Sequence, residues 1–224
     1  VGNKINNPDL SEVSVCLGLH PRDFAKSRLQ EIENALRTTE ISVRSPFRFK
    51  NVWFVPQGMG AFISYAHLNP EVLKENVVVI DIGYYTLDFV FVREGVYAPA
   101  SAWGENKGIK TLYDNIKNKV SKVYGLFIDD SQVIDILKNN SFVHFGKTYS
   151  IDTAEVIAHY RELIIGTIKA YSQRLSTKVS RVLLTGGGLE ALGNLSGGTV
   201  VPEPQLANAI GYYLFGYKKL NQNS

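Results

Sequence analysis

The sequence is poor in most of the features that classify a protein quickly. It has one cysteine in 224 residues, so no internal disulfide can form. Cys16 stands in the apolar stretch from Val13 to Leu19, where it is expected to be a buried small hydrophobe in a reducing setting. No apolar stretch is long enough to cross a bilayer and no secretory signal is visible, so a soluble, cytoplasmic protein with no membrane partner is expected. An excess of one charge is also missing. The formal net charge is only +3 and the basic residues are scattered, those from Arg22 to Lys50 reading as a solvated helix face, so direct binding to nucleic acid is not expected. There is no internal repeat and no low-complexity linker. The chain opens on Val-Gly-Asn-Lys rather than a methionine, and further residues are expected to precede it.

What is present is apolar content of 45%, enough for one large domain or two small ones with real cores. Patterning predicts a strand from Ser11 to Leu19 and a helix opened by His20-Pro21-Arg22-Asp23 that runs to about Leu36. Short strands at Ile41–Arg44 and Arg48–Pro56 follow, separated by Ser45-Pro46, then a helix from Gly60 to Leu68 that Asn69-Pro70 stops. Past the middle, Gly95–Ala102 reads as a strand, Gly108–Tyr124 and Ser131–Lys138 as helices, and Phe142–Ser150 as a hairpin around Gly146. Asp152–Ser172 is a long helix that Asp152 or Thr153 would cap. A buried strand, Arg181–Thr185, leads through three glycines into a helix ending at Leu192, and a last helix spans about Pro204 to Tyr217.

The most informative stretch is Val77-Val78-Val79-Ile80-Asp81-Ile82-Gly83-Tyr84-Tyr85-Thr86-Leu87-Asp88. Four β-branched residues lead into Asp81 with no polar break, so this carboxylate ends a fully buried strand. A buried carboxylate requires a cation or donors. A turn of this kind brings backbone N–H groups and acids to one corner, which suits a phosphate and its magnesium. The plainer alternative is a hairpin with two solvated acids. A second, weaker signal is Thr185-Gly186-Gly187-Gly188-Leu189, where a strand passes through glycines into a helix whose N-terminus would suit an anion, a pattern that is often only a strand-to-helix turn.

Three segments, Val55-Pro56-Gln57-Gly58-Met59-Gly60-Ala61, Asp81 to Asp88, and Thr185 to Leu189, together resemble the actin, hexokinase and DnaK-chaperone superfamily. A fourth, Glu203-Pro204-Gln205-Leu206-Ala207-Asn208-Ala209-Ile210-Gly211, is similar to the ending of that family. Within it the chain looks most like prokaryotic actin-like ATPases, the ParM-like plasmid-segregation proteins and archaeal actin homologues. The resemblance implies an α/β, ribonuclease-H-like actin-type fold. Residues 1–70 would be the C-terminal part of domain I with its connecting helix, and residues 71–224 a complete domain II. The earlier phosphate turn of the superfamily has no counterpart before Gln57, since Asp9-Leu10-Ser11 and Asp23-Phe24-Ala25 lack the glycine. About two-thirds of the expected protein is therefore covered.

The resemblance also implies roles. Gln57 would open the bridging helix and orient the attacking water, acting by position because an amide is a poor base. Asp81 would share the catalytic role and, with Asp88, hold Mg2+ through its water shell. Backbone N–H groups of Gly83, Tyr84 and Tyr85 would bind the β- and γ-phosphates, with Thr86 adding a hydroxyl. The two tyrosines depart from the family's smaller residues, so their side chains must point away. Gly186, Gly187 and Gly188 would let the backbone pass beneath the α-phosphate and adenosine, and Gly104 and Gly108 would line the adenosine pocket. The implied function is a nucleotide-dependent, filament-forming ATPase using ATP or GTP, self-associating, engaged in plasmid or DNA segregation through a DNA-binding adaptor protein. Residues 1–224 alone would be inactive. A sugar or acyl kinase of the same superfamily, and a nonenzymatic actin-fold scaffold, stay open beside it.

Overall fold

A computed structural model describes residues 12–38, 41–42, 46–193, 195 and 197–222. The chain begins with strand β1 (Glu12–Leu19), helix α1 (Lys26–Thr38), and strands β2 (Ile41–Ser42) and β3 (Pro46–Pro56). β1 lies parallel to β3, and β2 pairs antiparallel with β3 on its other side, forming a three-stranded sheet. The expected beginning of the first strand at Ser11 and the stretch from Val43 to Ser45 lie outside the described residues.

The helix expected to start at His20 does not do so. Pro21–Asp23 forms a single 3-10 turn and the α-helix begins at Lys26. Asp23 and Phe24 donate to the carbonyls of His20 and Pro21, and the Phe24 ring meets Tyr97 edge-on at 6.4 Å. The chain is thereby turned before the helix can start.

Helix α2 (Met59–Leu68) is followed by the centre of the molecule, strands β4 (Asn76–Ile82) and β5 (Leu87–Arg93). Both are buried on both faces except at their outer ends. The third strand expected at Gly95–Ala102 is broken into β6 (Val96–Tyr97) and β7 (Trp103–Glu105), separated by a 3-10 turn at Pro99–Ser101. Pro99 has no N–H to give to a ladder and its fixed φ suits that turn. Both pieces pair antiparallel with β5.

Helices α3 (Lys110–Tyr124) and α4 (Asp130–Asn139), the hairpin β8 (Ser141–His144) and β9 (Lys147–Ser150), and the long helix α5 (Ala154–Ser172) come next. A capping box starts α4, with the Asp129 carboxylate accepting from Gln132 N and the Gln132 amide oxygen accepting from Asp129 N. At α5, Thr153 is the capping position without a side-chain bond, and it is Asp152 that accepts from Ala154 N, at 2.9 Å. Strand β10 (Arg181–Thr185), helix α6 (Leu189–Leu192), strand β11 (Thr199–Val200) and helix α7 (Ala207–Gln222) complete the chain. The last helix thus starts later and runs further than Pro204–Tyr217.

The large sheet runs β11-β10-β4-β5-β6, with β10 parallel to β4 and to β11. Period-two alternation divides it cleanly. Val78, Ile80, Ile82, Leu87, Phe89 and Phe91 face a core built with α3, α4 and α5, while Val77, Val79, Val90, Val92 and Leu183 face one built with α2. α7 crosses α2 so closely that a Cβ on Gly211 would stand 1.8 Å from the Gly60 carbonyl oxygen. Cys16 is half-buried rather than fully buried, and burial raises its thiol pKa to about 11, which keeps it an unreactive thiol.

Gly166 lies on the exposed side of α5, and a Cβ there meets nothing within 4 Å. Gly166→Ala is expected to raise the unfolding free energy by about 1 kcal/mol through helix propensity alone, read by urea denaturation. A loss of stability would show that this face of α5 is occupied.

Candidate functional site

Register decides where the two aspartates point. Asp81 on β4 lies directly opposite Asp88 on β5, and Thr185 on β10 lies beside Asp81 on the other side. All three belong to the alternation that includes Val77, Val79 and Val90, so their side chains face the α2 and α7 side. Two carboxylates sit there at 7% and 2% exposure, a like-charge cross-strand pair that is unfavourable unless compensated.

The compensation comes from residues far away in sequence. Asn208, on the first turn of α7, donates its Nδ2 to Asp81 Oδ2 at 2.7 Å. His20, just past the end of β1, places Nε2 2.8 Å from Asp88 Oδ1, and Thr86 Oγ1 donates to Asp88 Oδ2 at 2.7 Å. Asp81 is nonetheless held at a pKa of about 6. Burial is the main cause, with Asp88 adding to the rise and the Asn208 bond working against it. Neither Asn208 nor His20 is given a role by sequence reasoning. Asn208 lies within the segment quoted for the family's ending, but nothing local marks it as the partner of a carboxylate 127 residues away.

The turn between the aspartates is closed by Gly83 N–H donating to Thr86 O at 2.9 Å. Of the expected phosphate donors, the Gly83 N–H is thus used within the turn, leaving those of Tyr84 and Tyr85 in the proposed set. The turn's carbonyls are engaged from the other side, Gly83 O by Ile109 N, Tyr84 O by Lys110 N and Tyr85 O by Gly108 N, each near 3 Å. These donors are the backbone N–H groups that lead into α3, so the turn caps that helix. A Cβ on Gly108 would stand 2.4 Å from Tyr84 O, and this contact requires the glycine.

Tyr84 is drawn outward. Its hydroxyl donates to Asp130 at the head of α4, its ring meets Tyr85 and Tyr113 edge-on, and Lys117 Nζ reaches the other Asp130 oxygen at 2.5 Å. The bond to Asp130 raises the phenol pKa to about 12, while the Asp130 carboxyl is held low, first by Lys117 and then by Tyr84. Tyr85 is 67% exposed.

The glycines after β10 serve the protein's own backbone at two of three positions. Gly186 has φ 96°, and a Cβ there would lie 2.3 Å from Ile82 O and 2.5 Å from Asp81 Oδ1; one on Gly188 would lie 2.6 Å from Ile82 Cγ2. Gly187 is open, its nearest neighbour being the Gln205 side chain at 3.6 Å. The helix that follows has only four residues, so its dipole is smaller than the sequence suggests. Gly104 faces Asp88 across the β5–β7 ladder, and a Cβ there would meet Asp88 Oδ1 at 2.3 Å and His20 Nε2 at 2.8 Å. Gln57 lies just past the end of β3, one residue before the capping Gly58 of α2, and donates its N–H to Leu19 O at 2.8 Å. The structure therefore brings Asp81, Asp88, Thr86, Gly104 and Gly186 to one corner, with Gln57 joined to it through the neighbouring Gly58.

Thr185 is fully buried and donates Oγ1 to Pro204 O at 2.9 Å. Thr185→Val is expected to cost about 1 kcal/mol in chemical denaturation by removing one of the two donors to that carbonyl, which keeps Gly186 N–H at 3.0 Å; an unchanged midpoint would mean the bond contributes nothing.

A family model described as archaeal actin homologue MreB-like, C-terminal, matches residues 79–196, more than half of the chain. Among solved structures, Ta0583, an archaeal actin homologue in complex with ADP, superposes with a TM-score of 0.75 at 18% identity, over 90% of this chain and 70% of that one. A ParM filament structure from Clostridium botulinum gives 0.71 at 19% identity, over 91% and 66%. MreB5 of Spiroplasma citri bound to AMPPNP gives 0.77 at 14% identity, over 98% and 73%. No curated protein sequence matches the chain. Among the described residues no helix is long and apolar enough to cross a membrane.

Proposed function

Because the chain belongs to the archaeal actin-homologue, MreB-like family, we propose that it forms the larger part of a nucleotide-binding subunit that self-associates into filaments and times their disassembly by hydrolysing ATP. Residues 1–70 are the end of its domain I with the connecting helix, and residues 71–224 its domain II. The observation that carries this reading is the buried, facing pair Asp81 and Asp88 beside a turn whose Gly83, Tyr84 and Tyr85 carbonyls are directed to the N–H groups leading into α3. That arrangement leaves the opposite side of the turn for an anion and provides negative charge for a cation.

The pair suits magnesium, which keeps most of its waters and needs only one or two carboxylates. No group of three or more His, Cys, Asp and Glu side chains placed to ligate a metal directly occurs among the described residues. When bound, the ion would neutralise charge on the terminal phosphates. Asp81 and Asp88 would hold its water shell, the Tyr84 and Tyr85 N–H groups would hold phosphate oxygens and Gln57 would orient the attacking water, while the Thr86 hydroxyl, whose proton goes to Asp88, would fix that carboxylate. Gly104, Gly108 and the open Gly187 border the nucleoside. Support for the nucleotide comes from relatives solved with ADP and with AMPPNP, and support for self-association from the ParM filament. Segregation of plasmid DNA is the cellular role we assign, by way of an adaptor protein that carries the DNA.

Sedimentation of the full-length gene product tests the proposal. A pellet is expected in Mg-ATP that shrinks as ATP is consumed and is absent in Mg-ADP. Gln57→Ala is expected to lower turnover by about 100-fold, the scale of losing a positioned group, and to prolong the pellet. No pellet in any nucleotide state, at concentrations well above those used for assembly, would overturn the filament reading.

A further inference from the structure

We infer that Asn208 is a positioning residue of the proposed nucleotide site, a single carboxamide that fixes Asp81 and Gln57 relative to each other. The inference rests on the nucleotide reading above and deepens it by naming what holds its two catalytic groups together. Asn208 Oδ1 accepts from Gly58 N at 3.0 Å and from Ala61 N at 3.1 Å, while Nδ2 donates to Asp81 Oδ2 at 2.7 Å. The amide's orientation follows from chemistry. Turned over, it would set its NH2 against two N–H donors and its oxygen against a carboxylate.

Gln57 is held from both sides as a result. Its own N–H is bound to Leu19 O at 2.8 Å, and the next N–H along the chain is bound to Asn208. Gly58 adopts φ 84°, and a Cβ there would stand 2.9 Å from Val90 Cγ2, so the backbone at this junction has little room to shift. The local capping position of α2 is glycine, which has no side chain to offer the first turn, and Asn208 supplies that acceptor from another helix. A cap needs only Oδ1. The contact from Nδ2 to a buried carboxylate is the part that capping does not explain.

Few side chains do both tasks. Aspartate keeps the acceptor and loses the donor, serine is too short, and glutamine is longer by a methylene. Asn208 is itself carried by α7, which is fixed against α2 where Gly211 meets Gly60. A movement of α7 therefore displaces the magnesium-holding acid and the water-orienting amide together.

Two variants of the full-length gene product separate clamp from cap. In Asn208→Ala, hydrogen exchange at the Gly58 and Ala61 amides of nucleotide-free protein is expected to accelerate at least tenfold. Its kcat is expected to fall about tenfold with KM for Mg-ATP changed less than about threefold, the scale of one charge-assisted hydrogen bond. In Asn208→Asp the two amides should keep their protection, while kcat falls at least as far because a second carboxylate now faces Asp81. Wild-type kcat in Asn208→Asp would reduce the residue to a helix cap and overturn the inference, as would unchanged exchange in Asn208→Ala. If wild-type protein neither binds nor hydrolyses nucleotide, the proposed function fails, and with it the catalytic role given to Asn208; the exchange result then reports on the clamp alone.

Discussion

Asp81→Asn is expected to make the nucleotide-free protein more stable at pH 7.5 by about 2–3 kcal/mol. The Asp81 carboxyl is raised from 3.8 to about 6 in the folded chain, chiefly by burial, and each unit of such a shift is worth about 1.4 kcal/mol. The sign follows from proton counting. Between pH 4 and 6 the folded state binds more protons than the unfolded one, so this group costs stability above about pH 6 and ceases to do so as the pH falls towards 4. Asparagine never carries the charge. Its oxygen can still accept from Asn208 Nδ2, and its NH2 can donate towards the facing Asp88 carboxylate. Denaturant midpoints for the two proteins should therefore lie far apart at pH 7.5 and converge near pH 4. Parallel curves across that range would mean that Asp81 is compensated in the folded state as well as in water.

The second large effect is expected where two helices touch through their backbones. A Cβ on Gly211 would lie 1.8 Å from the Gly60 oxygen and 2.4 Å from its carbonyl carbon, so neither helix can relieve the clash by a rotamer change. Gly211→Ala should cost about 3 kcal/mol, at the upper end for overpacking, despite the roughly 1 kcal/mol that alanine gains in a helix. Gly216, farther along α7, gives the control. A Cβ there would meet Cys16 Cβ at 3.4 Å, and Gly216→Ala should change stability by less than about 1 kcal/mol. Thermal unfolding of both variants reads the difference; equal losses would mean that α2 and α7 can move apart at their crossing.

Legibility in the sequence follows the distance over which each feature is determined. β4, β5 and the turn between them are readable because four β-branched residues, an aspartate, a glycine and a second aspartate act on their neighbours. The α3, α4 and α5 segments are readable for the same reason, through their periodicity. The strand expected at Gly95–Ala102 fails at Pro99, whose missing N–H outweighs the alternation around it. The glycines are a subtler case. Their presence announces close approach, but Gly186 and Gly188 accommodate the end of β4, Gly104 accommodates Asp88 and His20, and of these four Gly187 alone is left open. His20 and Asn208 are out of reach because their partners are 68 and 127 residues away, where no spacing rule operates.

The carbonyls of Gly83, Tyr84 and Tyr85 all end on the N–H groups that lead into α3, and the Tyr84 hydroxyl ends on the head of α4. This makes the turn the short arm of a lever. A helix of 15 residues extends about 22 Å, so a rotation of a few degrees at the turn displaces the far end of α3 by an ångström or more. The exposed Phe127 lies just beyond that end. The corner between Asp81 and Asp88 and a surface one helix-length away therefore behave mechanically as a single part.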